Sequence, residues 1–337
     1  MVSRTAPERR VWAVALALAC AVVALAASAV VVHAGPARVT LRAADVHVAD
    51  YPTVQGLKFM ADTVGALSGG RIQIEIFPGG QLGDERSTIE QVQLGVIDMV
   101  RTSTAPLAEF YRPFGVFSLP YIFRDEAHMW RVVMGPVGQR LLRELERAGM
   151  VGLAYYDAGA RHFYTTKKPV RSPEDLRGLR IRTQQAQVVI DMMQALGASA
   201  VPMAFGEVYT SLQTGVIDGA ENNVPSYGPF GVRHYEVARY FSLDGHLRVP
   251  EIVIISKQSW DRLSPDDRQL LKEAALASVV YQATLWDLFE EKTMVELRKA
   301  GVEIITVDTS AFQKAVAPVY DRYRPQFGAL IDEILNR

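Results

Sequence analysis

Cysteine is all but missing from this chain: Cys20 is the only one. It falls inside an apolar N-terminal run, so a chain cleaved after that run has no thiol. Disulfides, cysteine nucleophiles and cysteine-based metal sites are thereby excluded from the remainder. A charge imbalance is missing too. The formal net charge is −1 over 337 residues, which gives no electrostatic footprint for nucleic acid or an acidic membrane surface. There is no GxSxG, HExxH, P-loop or GxGxxG, so the common hydrolase and nucleotide-binding motifs are absent. The six histidines are scattered with no i,i+4 pair, and neither a metal nor a cofactor is expected.

What is present begins with an export signal. MVSRTAPERR carries three arginines against one glutamate, and Val11 to Val32 is uncharged and apolar. The run ends Val32-His33-Ala34 before Gly35, an Ala-x-Ala-like cleavage site, so residues 1–34 are expected to be a signal peptide. An apolar run of 22 residues is also long enough to span a bilayer uncleaved. Ala17-Leu18-Ala19 is a poor lipobox, which argues against a lipid on Cys20. Cleavage would leave 33 basic and 36 acidic residues, enough chain for two domains with cores of their own.

The phrase Gln-x-Gly-Val-Ile-Asp occurs twice, at Gln93–Asp98 and Gln213–Asp218. Each copy ends a helix-like run and opens a strand-like one that leads into polar residues. Two similar α/β lobes with a ligand between their strand ends would explain the echo. The flanking pattern agrees. A strand from Val39, an amphipathic helix over Pro52–Leu67, an alternating strand at Ile72, Ile74 and Ile76, a helix over Asp84–Leu94 and a strand from Ile97 to Arg101 make a βαβαβ unit. VGLAYYDAGARHFYTT reads as strand, glycine break, strand, and Ser172-Pro173 as a helix start. Arg180 and Arg182 alternate on the strand Leu179–Thr183. Helical patterning without Pro or Gly from Asp266 through Lys299 predicts a helix long enough to cross both lobes. A short strand at Val302–Val307 and a last helix complete the chain.

Arginine placed at strand ends and beside glycine is the chemical signal. Arg161 follows Gly159-Ala160, Arg182 sits near the end of its strand, and Arg101 ends another. A guanidinium grips a carboxylate bidentately, and open α/β sheets bind ligands beyond their strand ends. A salt bridge or a solvated face would account for any one of them; three favour an anion site. Asn222 and Asn223 are paired amides at a strand end or residues of a turn. His47 closes the first strand, and Glu85 opens a helix whose dipole favours it there. Phe205 is either core or an aromatic platform for a sugar ring.

GARHFYTTKKPVRSPEDLRGLRIRTQ, followed by LGASAVPMAFGEVYTSLQTGVIDGAENN, resembles the central signature of solute-binding subunits of tripartite ATP-independent periplasmic (TRAP) transporters, the DctP-like family. FPGGQLGDERSTIEQVQLGVIDMV and FSLPYIFRDEAHM are similar to its N-terminal part. The resemblance implies a periplasmic, monomeric binding protein with an α/β, two-lobed fold, a cleft between the lobes and a long helix spanning both. The expected lobes are 38–158 plus 248–287 and 159–247 plus 288–337. It implies a small-molecule carboxylate as ligand and TRAP membrane subunits as partners. On the family pattern Arg182 clamps the ligand carboxylate, Arg161 and Asn222 assist, and Phe205 packs on the ligand. Glu221-Asn222-Asn223 in place of the commoner ENP, and the presence of Arg101, resemble the subgroup that takes hexuronates such as glucuronate and galacturonate. There His47, Glu85, Arg101 and Asn223 would satisfy the sugar hydroxyls.

Other readings stay open on the sequence: the same role for a dicarboxylate or keto acid, a periplasmic enzyme on sugar acids with His47 or Glu85 as base, and a sensor on an uncleaved N-terminal anchor.

Overall fold

The computed structural model describes residues 38–337; the expected signal segment lies outside the described residues. The strands are β1 (Val39–Ala44), β2 (Ile72–Phe77), β3 (Met99–Ser103), β4 (Met150–Tyr156), β5 (Arg161–Thr165), β6 (Arg180–Thr183), β7 (Ser199–Pro202), β8 (Gly219–Asn222), β9 (Tyr240–Leu247), β10 (Glu251–Ser256) and β11 (Glu303–Thr306). The helices of eight residues or more are α1 (Pro52–Leu67), α2 (Glu85–Gln93), α3 (Glu126–Val133), α4 (Pro136–Glu144), α5 (Gln187–Ala195), α6 (Pro265–Lys299) and α7 (Ser310–Leu335).

Two mixed sheets form, in the orders β2-β1-β3-β10-β4 and β11-β9-β5-β8-β6-β7. Each contains a parallel trio, β2-β1-β3 and β7-β6-β8, flanked by an antiparallel neighbour, β10 or β5. The chain crosses between sheets at residues 157–160, at 248–250 and along α6. The strand at 150–156 therefore completes the first sheet, and the glycine break after it is a crossover.

The repeated hexapeptide occupies the same place in both trios. Gly95 (φ 72°) and Gly215 (φ 71°) take the left-handed conformation that closes a helix, where a side chain would be strained. The Val-Ile-Asp that follows is a bend, and the strands begin one residue later than the aspartate, at Met99 and Gly219. The bend turns each carboxylate onto the adjacent strand: Arg42 N donates to Asp98 Oδ2 at 2.9 Å and Arg180 N to Asp218 Oδ2 at 3.0 Å. The same two arginines also donate from their guanidinium groups to the preceding turns, at the Val96 and Gly215 carbonyls.

Helix α6 starts with Ser264 as N-cap, accepting from Asp267 N at 3.1 Å, and with Pro265 in its first turn. Its 35 residues extend about 50 Å at 1.5 Å per residue. The helix begins against α1, where Gly56 permits close approach of Tyr156 and Gln282, and ends with Leu297 packed beside Tyr164 and Phe241 of the second sheet. On α7, Phe312, Val316, Val319, Tyr323, Phe327, Ile331 and Ile334 form one buried stripe at helical spacing. That stripe joins Phe117, Met129 and Val132 to Phe163, Val189 and Met192, so one core runs across both lobes. No helix among the described residues is long and apolar enough to cross a membrane.

Candidate functional site

The two sheets meet at a pocket lined by Val46, His47, Glu85, Arg161, Arg182, Gln184, Phe205, Asn222 and Glu251. Six of the eight expected site residues are on this wall. Arg101 and Asn223 are not, and stand behind it. A roomier groove lined by Glu109, Arg112, Gln187 and Phe327 lies outside; its charged residues are exposed.

On the first lobe, β1 runs parallel to β3 and delivers Asp45 beside Arg101. Arg101 is fully buried and its donors are committed: Nε to Asp45 Oδ2 at 2.7 Å, Nη1 to Glu251 Oε2 at 2.5 Å, and Nη2 to Asp45 Oδ1. Glu85 stands 3.7 Å from Nη1. These partners, outweighing the burial that acts against the charge, hold the guanidinium above its usual value. Nη2 also meets His47 Nδ1 at 2.6 Å. An arginine can only donate, so this shorter contact makes Nδ1 an acceptor, against its longer 3.2 Å approach to Asp45 Oδ1, and places the imidazole proton on Nε2. Burial and Arg101 lower the His47 pKa, which keeps the ring neutral. The ring stacks on Tyr51 (centroids 4.0 Å apart, planes 4° off parallel), with Phe205 5.2 Å away.

Glu85, the first residue of α2, accepts from Ser103 N at 2.8 Å and Thr102 Oγ1 at 3.2 Å through Oε1, and its Oε2 has no hydrogen-bond partner among the described residues. Glu251 is pushed up to about 7 by burial, with Glu85 and Asp45 adding to the effect and Arg101 opposing it.

On the second lobe, Arg161 is a paired charge. Its Nε donates to Glu221 Oε2 at 2.5 Å, Nη2 to Glu221 Oε1 at 2.9 Å and Nη1 to Asn222 Oδ1 at 2.9 Å. Asn222 Oδ1 also accepts from Asn223 N at 2.8 Å, leaving its amide NH₂ as the group free to donate. Behind Glu221 lies His246, 3.5 Å away through Nε2 and 2.7 Å from Asp244 through Nδ1. Burial pulls this imidazole down, but Asp244 and Glu221 outweigh it and raise it to about 9, so it is charged at neutral pH.

Arg182 differs from the other two. It is 3% exposed, and its Nε and Nη2 donate to one backbone carbonyl, Met203 O, at 3.1 and 2.8 Å. No carboxylate lies within salt-bridge distance of it among the described residues. Burial lowers its pKa, with Glu221 pulling the other way from farther off. A buried cation without a counterion is unfavourable unless an anion arrives. Gln184, two residues further along, carries an Oε1 with no hydrogen-bond partner among the described residues.

Asn223 accepts from Ser226 N at 2.8 Å, capping the helix Val224–Tyr227, and from Tyr51 OH at 3.2 Å. Its carbonyl is spent on structure, in the turn role that paired asparagines also suit. Tyr51 OH reaches Ser226 Oγ at 2.8 Å, and Glu109 Oε1 accepts from Gln187 N at 3.0 Å. Both contacts link the lobes across the cleft.

Glu251 and Gln184 are absent from the sequence-derived candidates. Glu251 opens a strand whose next four residues are apolar, whereas ligand sites in open α/β sheets are expected beyond the carboxyl ends of strands. β10 is antiparallel to its neighbours, so its amino end faces the cleft. Gln184 is two residues past Arg182, the spacing that puts residues on one face of an extended chain.

Two α/β lobes, joined by crossover strands and a long helix, with an uncompensated cation in the pocket between them, define a ligand-binding protein of the two-lobed periplasmic class. Residues 43–326 match the family of bacterial extracellular solute-binding proteins, family 7 (DctP), and the chain belongs to it. A TRAP periplasmic solute-binding protein from Xanthobacter autotrophicus, solved with bound β-D-galacturonate, is 45% identical at a TM-score of 0.85, covering 88% of this chain and 99% of its own. One from Pseudomonas putida, with bound D-glucuronate, is 39% identical at 0.85, covering 88% and 96%. The C4-dicarboxylate-binding periplasmic protein DctP of Rhodobacter capsulatus is 32% identical over 98% of this chain and 96% of its own length.

Proposed function

We propose that this protein captures a hexuronate such as D-glucuronate or D-galacturonate in its cleft, as a monomer outside the cytoplasm, and delivers it unchanged to the membrane subunits of a TRAP transporter. The observation that carries the reading is the division of charge across the pocket. The second lobe offers Arg182, a buried cation lacking an anion. The first lobe offers Glu85 and Glu251, which accept hydrogen bonds, and a neutral His47 whose Nε2–H donates. A sugar acid matches both sides, with its carboxylate on Arg182 and its hydroxyls on the carboxylates, His47 and the Asn222 amide.

A dicarboxylate fits less well. Its second carboxylate would face Glu85 and Glu251, while Arg101 and Arg161 are already taken by Asp45, Glu251 and Glu221. Phe205 supplies an apolar wall for the C–H face of a pyranose ring. In this assignment Arg182, Arg161, Asn222, His47, Glu85 and Phe205 touch the ligand. Arg101 and Asn223 hold those residues in place.

Thermal melting and calorimetry of purified protein against hexuronates, aldonates, dicarboxylates and keto acids test the reading, because a ligand of the folded state raises the melting point by mass action. A shift with hexuronates and none with dicarboxylates supports it. A shift confined to dicarboxylates or keto acids would refute the uronate assignment. Conversion of a bound uronate to product would refute delivery without chemistry.

A further inference from the structure

Away from the ligand pocket, three carboxylates converge where the lobes are joined. Glu126 at the start of α3, Asp157 on the first crossover and Asp287 on α6 each bring a carboxylate oxygen within 4.8 Å of the other two. Like charges this close repel, and the neighbouring cation offsets only part of that: Arg248, on the second crossover, reaches Asp157 Oδ1 at 3.3 Å. Hydrogen bonding leaves the cluster incomplete. Asp157 is 1% exposed, and its Oδ1 also accepts from Gly159 N at 2.8 Å, yet its Oδ2 has no partner among the described residues. A buried carboxylate oxygen left without a donor is unfavourable. Glu126 Oε1 accepts from Trp130 Nε1 at 3.3 Å, and Asp287 stands exposed at the rim, open to solvent.

We propose that Glu126, Asp157 and Asp287 bind a calcium ion. The donors are hard oxygens with no nitrogen or sulfur among them, which selects calcium or magnesium over transition metals. Two oxygens on one calcium can stand about 5 Å apart, twice its usual bond length, whereas magnesium allows only about 4.2 Å. Oxygens lying within 4.8 Å of one another are therefore inside the span that one calcium allows. The ion supplies Asp157 Oδ2 with its missing partner and relieves the repulsion. It also ties the first crossover to α3 and α6, so its mechanical effect falls on the joint about which the lobes turn. The site uses carboxylates alone, which is why the scattered histidines gave no sign of it. It is independent of the ligand assigned to the cleft.

The test is thermal melting and calorimetry of chelator-stripped full-length protein with calcium, magnesium or sodium at matched ionic strength. Extracellular calcium modules bind at about 10⁻⁴–10⁻³ M, the range expected for this site. Ten-fold excess over that range should raise the melting point by about 3 °C, with magnesium giving less. Asp287→Asn and Glu126→Gln should each abolish the calcium shift and the binding heat while melting no lower than the parent in chelator. Absence of any calcium shift or heat at about 10 mM, well above the expected range, would overturn the proposal. So would an equal shift in both variants, which would mark non-specific screening.

Discussion

Replacing Arg182 with alanine separates binding from folding, because the side chain is buried in the pocket without a salt-bridge partner. Among the described residues its guanidinium makes hydrogen bonds only to Met203 O, so removing it deletes an uncompensated charge, and the melting point without ligand should hold or rise. In the complex it contributes a charge-assisted, bidentate grip on the ligand carboxylate. Truncating one partner of such a buried pair costs about 2–5 kcal/mol, and 1.4 kcal/mol is a factor of ten, so the Kd for a hexuronate should weaken by roughly 30- to 4,000-fold. Titration calorimetry measures this directly. Comparing the acid with its neutral parent sugar sharpens it: Arg182→Ala should lose most of the preference for glucuronate over glucose. Arg182→Lys, a point charge without the planar fork, should fall between. A Kd within ten-fold of the parent, or an unchanged acid-to-sugar ratio, would refute the carboxylate assignment.

Three further outcomes are expected. The His246 pKa of about 9 lies above its unfolded value of about 6.5, so the folded state holds a proton that the unfolded chain has released between those values. Its stabilisation, about 3 kcal/mol, is complete below pH 6.5 and lost as pH rises through 9. The corresponding effect of Glu251 is over by about 7, while the buried tyrosines, raised above 10, begin to contribute as pH nears that value. The difference in melting between the parent and His246→Gln over about pH 7.5 to 9 therefore reads His246; a difference that does not change with pH there would contradict the Asp244–His246–Glu221 arrangement. Asn223→Ala should lower the melting point by about 2–4 °C through loss of a helix cap worth about 1 kcal/mol and leave the ranking of uronates unchanged; a reversed ranking would return Asn223 to the pocket wall. Glu109→Ala removes the acceptor at the start of α5 and should weaken hexuronate binding about two- to five-fold, chiefly by faster release in stopped-flow; unchanged release would show that this contact does not hold the lobes closed.

Local patterning was legible wherever periodicity and terminators agreed. The boundaries of α1 follow from Pro52 and from Ser68-Gly69-Gly70, and the length of α6 from an uninterrupted run between Pro265 and Gly301. The hexapeptide echo points to two like units, but the β-branched Val-Ile pair looks alike at the start of a strand and in the bend that the structure shows. What it could not show was Asp98 and Asp218 reaching across to a neighbouring strand, a contact set by sheet order. The pocket was partly legible for the same reason. Arg182, Arg161 and Asn222 sit in recognisable phrases, and the structure brings them together. The depth of Arg101 and Asn223 depends on which carboxylates and amides pack against them. Asp45 and Glu251, separated by 206 positions in sequence, meet on Arg101 only because β1, β3 and β10 share a sheet.

The single core shared by both lobes has a consequence for the order of events during synthesis. Its closing stripe is α7, and the contacts of α7 reach far back along the chain: Ile334 O to His128, Glu333 to Arg140, Tyr320 OH to Pro120 O. The aromatic and aliphatic residues around Phe117 and Met129 therefore lack part of their packing until α7 has been made. Such long-range closure is slow to nucleate. A nascent chain of this kind stays pliant until α7 is available to close the core, a property that would suit a polypeptide exported before it folds.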